Sequence, residues 1–139
     1  MFLLDTNVVS ELRRPGRAHP RVVAWARSVP PLDISISAVT VLEIEIGVLQ
    51  IERRDAAQGA ILRTWLETQV LRGFDGRILP IDVAVARRCA GLHVPDPKAE
   101  RDALIAATAF VHHLTLVTRN VADFKAMGIS LLDPWTLGG

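Results

Sequence analysis

The chain has 139 residues, half of them hydrophobic, which is enough apolar material for the core of one domain of common size. Its formal net charge of +1 excludes a strongly basic nucleic-acid-binding arm and an acidic tail. The single cysteine, Cys89, excludes a disulfide framework within the chain and argues against a cysteine-based zinc site. The few aromatic residues, none of them Tyr, argue against an RNA-binding surface built on base stacking.

Neither a signal peptide nor a membrane span is predicted. The first residues, MFLLD, carry no basic region, and the apolar runs elsewhere are far too short to cross a bilayer. We therefore expect a cytoplasmic protein with no membrane partner.

In chain order, the hydrophobic pattern predicts short apolar strands that alternate with helices. The first strand ends at Asp5, and Thr6 and Asn7 are predicted to cap the helix that follows, which Pro15 breaks. The strands are predicted at residues 2–4, 33–36, 78–81, 114–117 and 129–132. The helices are predicted at residues 6–14, 20–29, 37–49, 55–72, 83–92, 98–112 and 120–127.

This alternation is typical of βα units, so the predicted fold class is α/β, with a central parallel sheet of about five strands and helices on both faces. The whole chain, residues 1–139, is interpreted as one domain. In open parallel sheets, ligands bind beyond the carboxyl ends of the strands, where the strand order reverses. Candidate functional residues are therefore sought at that edge.

Four acidic residues are predicted to lie near this edge. Asp5 follows the first strand and Asp123 follows the fourth, while Glu43 and Asp102 lie in the first two turns of helices. Because residues two apart on a helix point in nearly opposite directions, Glu43 is expected on the apolar face and Glu45 toward solvent. By the same reasoning, Asp102 is expected to face the core.

Several carboxylates that converge with few basic partners repel one another, and a hard divalent cation resolves that repulsion. Mg²⁺ and Mn²⁺ prefer oxygen ligands and usually keep several waters. Such an ion can bind a phosphate oxygen and activate a water for attack on phosphorus. The acidic residues therefore indicate hydrolysis of phosphodiester bonds.

Four segments carry a family resemblance: FLLDTN at residues 2–7, SAVTVLEI at 37–44, RDALIAATA at 101–109 and LVTRNVADF at 116–124. Together with LLDPW at 131–135, they resemble the PIN-domain family and, more narrowly, its VapC and FitB toxin ribonucleases. The resemblance covers nearly the whole chain, in order and at normal spacing. It implies a three-layer α/β/α sandwich and an Mg²⁺- or Mn²⁺-dependent endoribonuclease.

The resemblance also assigns roles to individual residues. The family's acidic residues match Asp5, Glu43, Asp102 and Asp123. By hypothesis Asp5 and Asp102 bind the metal directly, Asp123 completes the site, and Glu43 acts through water. The supporting polar positions match Thr6, Asn7, Thr118 and Asn120. Glu45 departs from the pattern, since relatives often carry a basic residue there.

Partners follow from the resemblance as well. It implies an RNA substrate, a cognate antitoxin protein that inhibits the enzyme, and a homodimer, with a higher toxin–antitoxin assembly as a further state. Arg13 and Arg14 lie near the same edge of the sheet and are candidates for contacts with RNA phosphates. If the four acidic residues are set apart as a metal site, the rest of the chain carries a formal charge of +5.

Two other functions are compatible with an α/β chain of this kind. One is a non-catalytic RNA-binding or interaction module on the same fold, which would tolerate loss of an acidic residue. The other is an aspartate-based phosphatase of the haloacid-dehalogenase type. That enzyme needs a second acid two residues after the first, where this chain has Asn7, and a downstream lysine, for which only Lys98 and Lys125 are available.

Overall fold

A five-stranded sheet lies at the centre of the computed structural model, which describes residues 1–137 of the expected 1–139 domain. Its strands are β1 (Phe2–Leu4), β2 (Ile34–Ser37), β3 (Ile78–Leu79), β4 (Thr115–Val117) and β5 (Leu131–Leu132). Every neighbouring pair is parallel, in the order β3-β2-β1-β4-β5. The predicted parallel sheet of five strands is confirmed.

Within the described residues, seven α-helices connect and flank the strands. They are α1 (Thr6–Glu11), α2 (Pro20–Ser28), α3 (Ala38–Arg54), α4 (Ala56–Trp65), α5 (Val83–Leu92), α6 (Glu100–Val111) and α7 (Val121–Phe124). Helix α4 continues as a π-helix over Leu66–Arg72, and 3₁₀ turns cover Pro31–Asp33 and Lys125–Met127. Within residues 1–137, none of the helices has the length and apolar character that crossing a bilayer requires.

Helices cover both faces of the sheet because successive strand residues point to opposite sides. Leu4 packs on one face in a cluster with Val22 and Trp25 of α2. Leu3 packs on the other face in a cluster with Ile105 of α6 and Phe124 of α7. Since both faces are buried, most of the strand residues are apolar, although β2 alternates isoleucine with serine. The three-layer α/β/α sandwich is confirmed.

The strand order reverses at the centre of the sheet. From β1 the chain moves outward to β2 and β3, then returns to the other side of β1 to form β4 and β5. The carboxyl ends of β1 and β4 are therefore neighbours at the switch point. There the backbone N–H of Asp5 donates to the carbonyl of Val117 over 2.9 Å, which extends the strand pairing by one residue.

Local boundaries differ from the predictions in two places. The predicted cap at Thr6 and Asn7 is wrong, because Asp5 caps α1: its Oδ1 accepts the backbone N–H of Thr6 at 2.8 Å. The predicted helix over residues 55–72 changes from α to π geometry at Leu66. The hydrophobic pattern of one continuous helix does not reveal such a change in hydrogen-bond register.

Helices α3 and α4 pack unusually close together at Gly59. A Cβ at that position would lie 2.6 Å from the Cα of Glu52, so only a glycine permits the observed approach. Arg63 of α4 then reaches Glu52 with two hydrogen bonds of 3.1 and 2.9 Å.

Replacing Gly59 with Ala should therefore destabilise the protein, by about 1–3 kcal/mol, because the added methyl group overlaps the backbone of α3. We expect a lower midpoint in urea denaturation followed by circular dichroism. Gly91→Ala in α5 is the matched control, since nothing lies within 4 Å of a Cβ at Gly91. There the better helix propensity of Ala should stabilise the protein by up to about 1 kcal/mol. Equal midpoints for the two variants would contradict the close α3–α4 packing.

Candidate active site

Asp5 lies at the centre of the site and is held by three hydrogen-bond donors. Its Oδ2 accepts the hydroxyl of Thr118 at 2.8 Å and the side-chain amide of Asn7 at 3.2 Å, while its Oδ1 caps α1. Only 6% of the residue is exposed. Burial raises the pKa of Asp5, as does the charge of Glu43, and this rise persists although the hydrogen bonds oppose it.

Glu43 is brought to Asp5 by a pair of threonines. The hydroxyl of Thr6 donates to Oε1 of Glu43 over 2.6 Å, and its oxygen lies 3.1 Å from the hydroxyl of Thr40. A hydroxyl group has one proton, so when Thr6 donates to the carboxylate it must accept its second hydrogen bond from Thr40. Thr40 is fully buried in α3, so the pair orients Glu43 from inside the protein.

Asp102 projects from the first turn of α6 toward the other acidic residues. Partial burial is the largest cause that raises its pKa, and the charges of Asp5, Asp123 and Glu43 raise it further. The four predicted acidic residues are thus close enough to perturb one another. The structure brings these four residues together at one edge of the sheet, as their positions in the sequence predicted. Asp123 is the most exposed of them and lies on the short helix α7.

Very little positive charge balances these carboxylates. Among residues 1–137, Arg101 is the one lysine or arginine with a side-chain nitrogen within 4.0 Å of any of them, and its Nη1 lies 3.8 Å from Oε2 of Glu43. Its side chain is half exposed. A single solvated guanidinium at that distance compensates little of the repulsion among four negative groups.

The donor set suits a hard divalent cation. It consists of carboxylate oxygens and hydroxyl groups, the ligand chemistry that Mg²⁺ and Mn²⁺ prefer. No group of three or more His, Cys, Asp or Glu side chains within residues 1–137 is already arranged to hold a metal ion. This is compatible with Mg²⁺, which usually takes one or two carboxylates and completes its shell with water. The residues fit such an ion on their charge and chemistry.

The supporting polar residues form a second layer around Asp5. The amide of Asn7 also lies 3.3 Å from the hydroxyl oxygen of Thr118, and its Oδ1 accepts the backbone N–H of Arg119. Asn120 contributes its backbone N–H, which donates to the Thr118 hydroxyl over 3.0 Å, and the residue itself is exposed. Thr118 and Asn7 thus connect β4 to β1 beneath Asp5.

A groove of about 260 Å³ leads away from the acidic residues between α1, α3 and α4. Thr6 and Glu43 line it at the acidic site, and Arg13, predicted to bind RNA, lines it as well. Its remaining walls are mostly apolar, from Ile44, Gly47, Val48, Ile51, Leu62 and Trp65. Arg14, the other residue predicted to bind RNA, lines an adjoining cavity that includes Arg13.

One expectation about α3 is wrong. Glu45 does not point freely into solvent, because its Oε2 lies 2.6 Å from Nη1 of Arg63 on α4. The buried positions of α3 include Thr40, Ile44 and Val48, whereas Leu42 is 49% exposed. The buried face of α3 is therefore not the face that its hydrophobic residues indicated. Apolar side chains occur nearly all round the helix, so the sequence does not determine which face is buried.

Sequence reasoning missed two residues of this site, Thr40 and Arg101. Thr40 precedes Glu43 by three positions, so the two share a helix face, and a buried threonine at that spacing was the available signal. Arg101 directly precedes Asp102 in the chain, and nothing in the sequence indicates that it approaches Glu43. Both side chains reach Glu43, directly or through Thr6.

Comparisons with known proteins agree with this architecture. The PIN domain family model matches residues 2–129. Toxin FitB of Neisseria gonorrhoeae is 40% identical over 141 residues, covering 97% of this chain and 99% of the relative. VapC ribonuclease Y4jK of Sinorhizobium fredii is 34% identical over 142 residues, covering 97% of this chain and 98% of the relative.

Solved structures extend the similarity to three dimensions. The crystal structure of FitAcB from Neisseria gonorrhoeae superposes with a TM-score of 0.89 at 39% identity, covering 99% of this chain and all of that one. Other matching structures are named as toxin–antitoxin complexes or systems.

Replacing Asp102 with Asn should stabilise the metal-free protein at neutral pH. A raised pKa means that the folded state holds the proton more tightly than the unfolded chain does. Stability is therefore lost as the pH rises from the unfolded pKa, about 3.9, through the folded one. Asparagine has no charge to lose, so we expect a gain of roughly 0.5–2 kcal/mol at pH 7 that disappears at more acidic pH.

Urea denaturation in EDTA at several pH values measures this difference. Glu100→Gln is the matched control, because Glu100 is an exposed acid in the same first turn of α6. It should bring no gain at any pH. If Asp102→Asn were less stable than the wild type at pH 7, the repulsion among the four acidic residues would be refuted.

Proposed function

The chain belongs to the PIN-domain family, in the group with the FitB and VapC proteins, and on this basis we propose that it is an Mg²⁺- or Mn²⁺-dependent endoribonuclease toxin. The observation that carries the proposal is the gathering of four carboxylates at the β1–β4 switch point with almost no compensating positive charge. The proposed enzyme hydrolyses phosphodiester bonds of RNA. We further propose that the chain is one PIN domain and acts in the cytoplasm.

Asp5 and Asp102 would bind the metal directly, with Asp123 and Glu43 completing the site. When bound, the ion would screen the four charges, hold a phosphate oxygen and lower the pKa of a water. The chain itself contributes by orienting the carboxylate of Asp5. Thr118 and Asn7 hold one oxygen of Asp5, and the helix cap holds the other. Such preorganised ligands lose little conformational entropy when the substrate arrives.

A protein inhibitor is the second partner that we propose. FitB is named a toxin, and matching structures are named as toxin–antitoxin complexes. By analogy, a cognate antitoxin would bind this chain and block cleavage. A short neighbouring reading frame that encodes a DNA-binding segment is its expected source, and higher assemblies of the two proteins are expected to follow from their association.

We also propose that the chain forms a homodimer through α3. Leu42, Ile46 and Leu49 are spaced four and three residues apart and so share one face of that helix. Leu42 is 49% exposed and Leu49 is 54% exposed, an apolar stripe that solvent does not favour. A second copy of the chain would cover it.

The alternative functions are less well supported. A non-catalytic RNA-binding module has no need for four mutually repelling acidic residues, which cost stability until something neutralises them. For the phosphatase reading, the position of the second acid is Asn7, and its side chain supports Asp5 and Thr118. Neither Asn7 nor its surroundings supply the missing carboxylate.

Purified protein should cleave RNA in the presence of Mg²⁺ or Mn²⁺ and lose that activity in EDTA. Asp102→Asn should lower the cleavage rate by more than about 100-fold while the protein remains folded, because it removes a metal ligand without creating a cavity. Gel analysis of labelled RNA fragments measures the rate. Glu100→Gln should cleave at the rate of the wild type.

Two results would count against the enzyme. RNA that is bound but never cut, with any divalent metal, would favour the binding module. Hydrolysis of a small phosphomonoester, with RNA left intact, would favour the phosphatase.

The homodimer is tested by Leu42→Glu combined with Leu49→Glu. Four charged side chains brought together at the shared face should raise the dissociation constant of the dimer by more than about 100-fold. Sedimentation velocity over a concentration series measures it. Leu32→Glu, at a leucine that is 78% exposed and lies off the stripe, should leave the dimer intact. A wild-type chain that sediments as a monomer throughout would disprove the assignment.

A further inference from the structure

Three arginines surround a cavity that adjoins the groove of the acidic site. The cavity has a volume of about 230 Å³ and is lined by Ser10, Glu11, Arg13, Arg14 and Arg17. We name it the arginine pocket. Three guanidinium groups face a single carboxylate there, so the pocket carries an excess of positive charge.

The arginine side chains have no anionic partner of their own. Among residues 1–137, none of the three has a nitrogen within 4.0 Å of a carboxylate oxygen. Glu11, the acid in the pocket, accepts the backbone N–H of His19 at 2.7 Å and so closes the loop that carries the arginines. Burial is the larger cause that lowers the pKa of Arg13, and the neighbouring charge of Arg14 lowers it further.

The pocket is continuous with the acidic site along α1. Ser10 and Arg13 line both cavities, and Thr6 lines the groove at the end that holds Glu43. Thr6, Ser10 and Arg13 follow one another at helical spacings of four and three residues, on one side of α1 and its C-terminal end. Ser10 lies four residues after Thr6 in α1, about 6 Å along the axis at the helical rise, and Arg13 lies beyond the end of the helix, so the pocket extends away from the carboxylates.

The chemistry of the lining favours a phosphate over a peptide. Every residue of the pocket is polar or charged, whereas the adjoining groove is walled largely by apolar side chains such as Val48, Leu62 and Trp65. Arginine's planar fork of N–H donors matches phosphate oxygens, and the Ser10 hydroxyl adds another donor. A peptide segment of a partner protein would make apolar contacts in the groove, but the pocket offers it no apolar side chains.

We propose that the arginine pocket binds a phosphate of the RNA strand other than the one that is cleaved, so that the strand runs from the acidic residues along α1 to the loop over residues 12–17. The inference rests on the proposed ribonuclease function and adds a direction for the substrate. It assigns Arg17 and Ser10 to RNA binding beside Arg13 and Arg14. Arg13, shared by both cavities, lies between the two phosphates.

The test compares two double variants in metal-free buffer, where the RNA stays intact. Arg14→Ala with Arg17→Ala removes the two arginines that line the pocket but not the groove. Arg27→Ala with Arg87→Ala removes the same charge from exposed positions on α2 and α5. Fluorescence anisotropy with a labelled single-stranded RNA, over a series of salt concentrations, gives the dissociation constant and its salt dependence.

We expect the pocket variant to bind roughly tenfold more weakly, and the slope of log affinity against log salt to fall by about 0.7, the value for one lost phosphate contact on a single strand. The surface variant should keep the wild-type slope. Arg14→Lys with Arg17→Lys should restore the slope, because the charge returns, while affinity recovers only in part.

Neutral methylphosphonate substitutions at successive positions of the RNA locate the contact. One position beside the cleavage site should weaken binding to the wild type and have no effect on the pocket variant. Equal affinities and slopes for the two double variants would overturn the proposal, and would leave the arginines to a protein partner. Failure of the ribonuclease assignment is distinguishable, because an RNA that is held in the pocket but never cut with metal refutes only the cleavage.

Discussion

Electrostatic repulsion among four carboxylates is the constraint on which the site depends. Parallel strands that reverse order at β1 and β4 bring Asp5 to the sheet edge, and helices α3 and α6 supply Glu43 and Asp102 from either side. The raised pKa values of Asp5 and Asp102 show that the folded chain holds these groups against their preference for solvated, separated charges. Without metal, this repulsion lowers the stability of the folded state. Burial of the apolar layers on both faces of the sheet offsets that loss.

The geometry of the acidic residues comes from hydroxyl and amide groups that carry no charge. Thr118 and Asn7 tie β4 to β1 beneath Asp5, while Thr40 reaches Glu43 through Thr6. Neutral donors orient a carboxylate without neutralising it, so the negative potential remains available to a cation. A lysine or arginine in the same positions would form an ion pair and weaken the site for metal. The half-exposed Arg101, at 3.8 Å from Glu43, is the nearest approach to such a pair.

Two recognition surfaces of different chemistry meet at the acidic site. The groove between α1, α3 and α4 is mostly apolar. The arginine pocket beyond it is wholly polar. If the chain binds RNA as we propose, this division accounts for recognition of a polyanion by a chain whose net charge is only +1. Its negative charge is concentrated where a metal would neutralise it, and arginines surround the cavity into which a substrate strand would extend.

The sequence by itself determined the α/β class, the parallel sheet of five strands and the identity of the four acidic residues. The class and the sheet follow from the local alternation of short apolar strands with helices, and the acidic residues follow from strand ends, helix-face spacing and the family resemblance. Tertiary structure alone decided which face of α3 is buried, that Glu45 pairs with Arg63, and that Thr40 acts on Glu43 through Thr6. It also decided the π-helical continuation of α4 and the joining of Arg13, Arg14 and Arg17 in one pocket. Those features depend on how separate elements rotate and approach one another, which is set by packing between residues far apart in the chain.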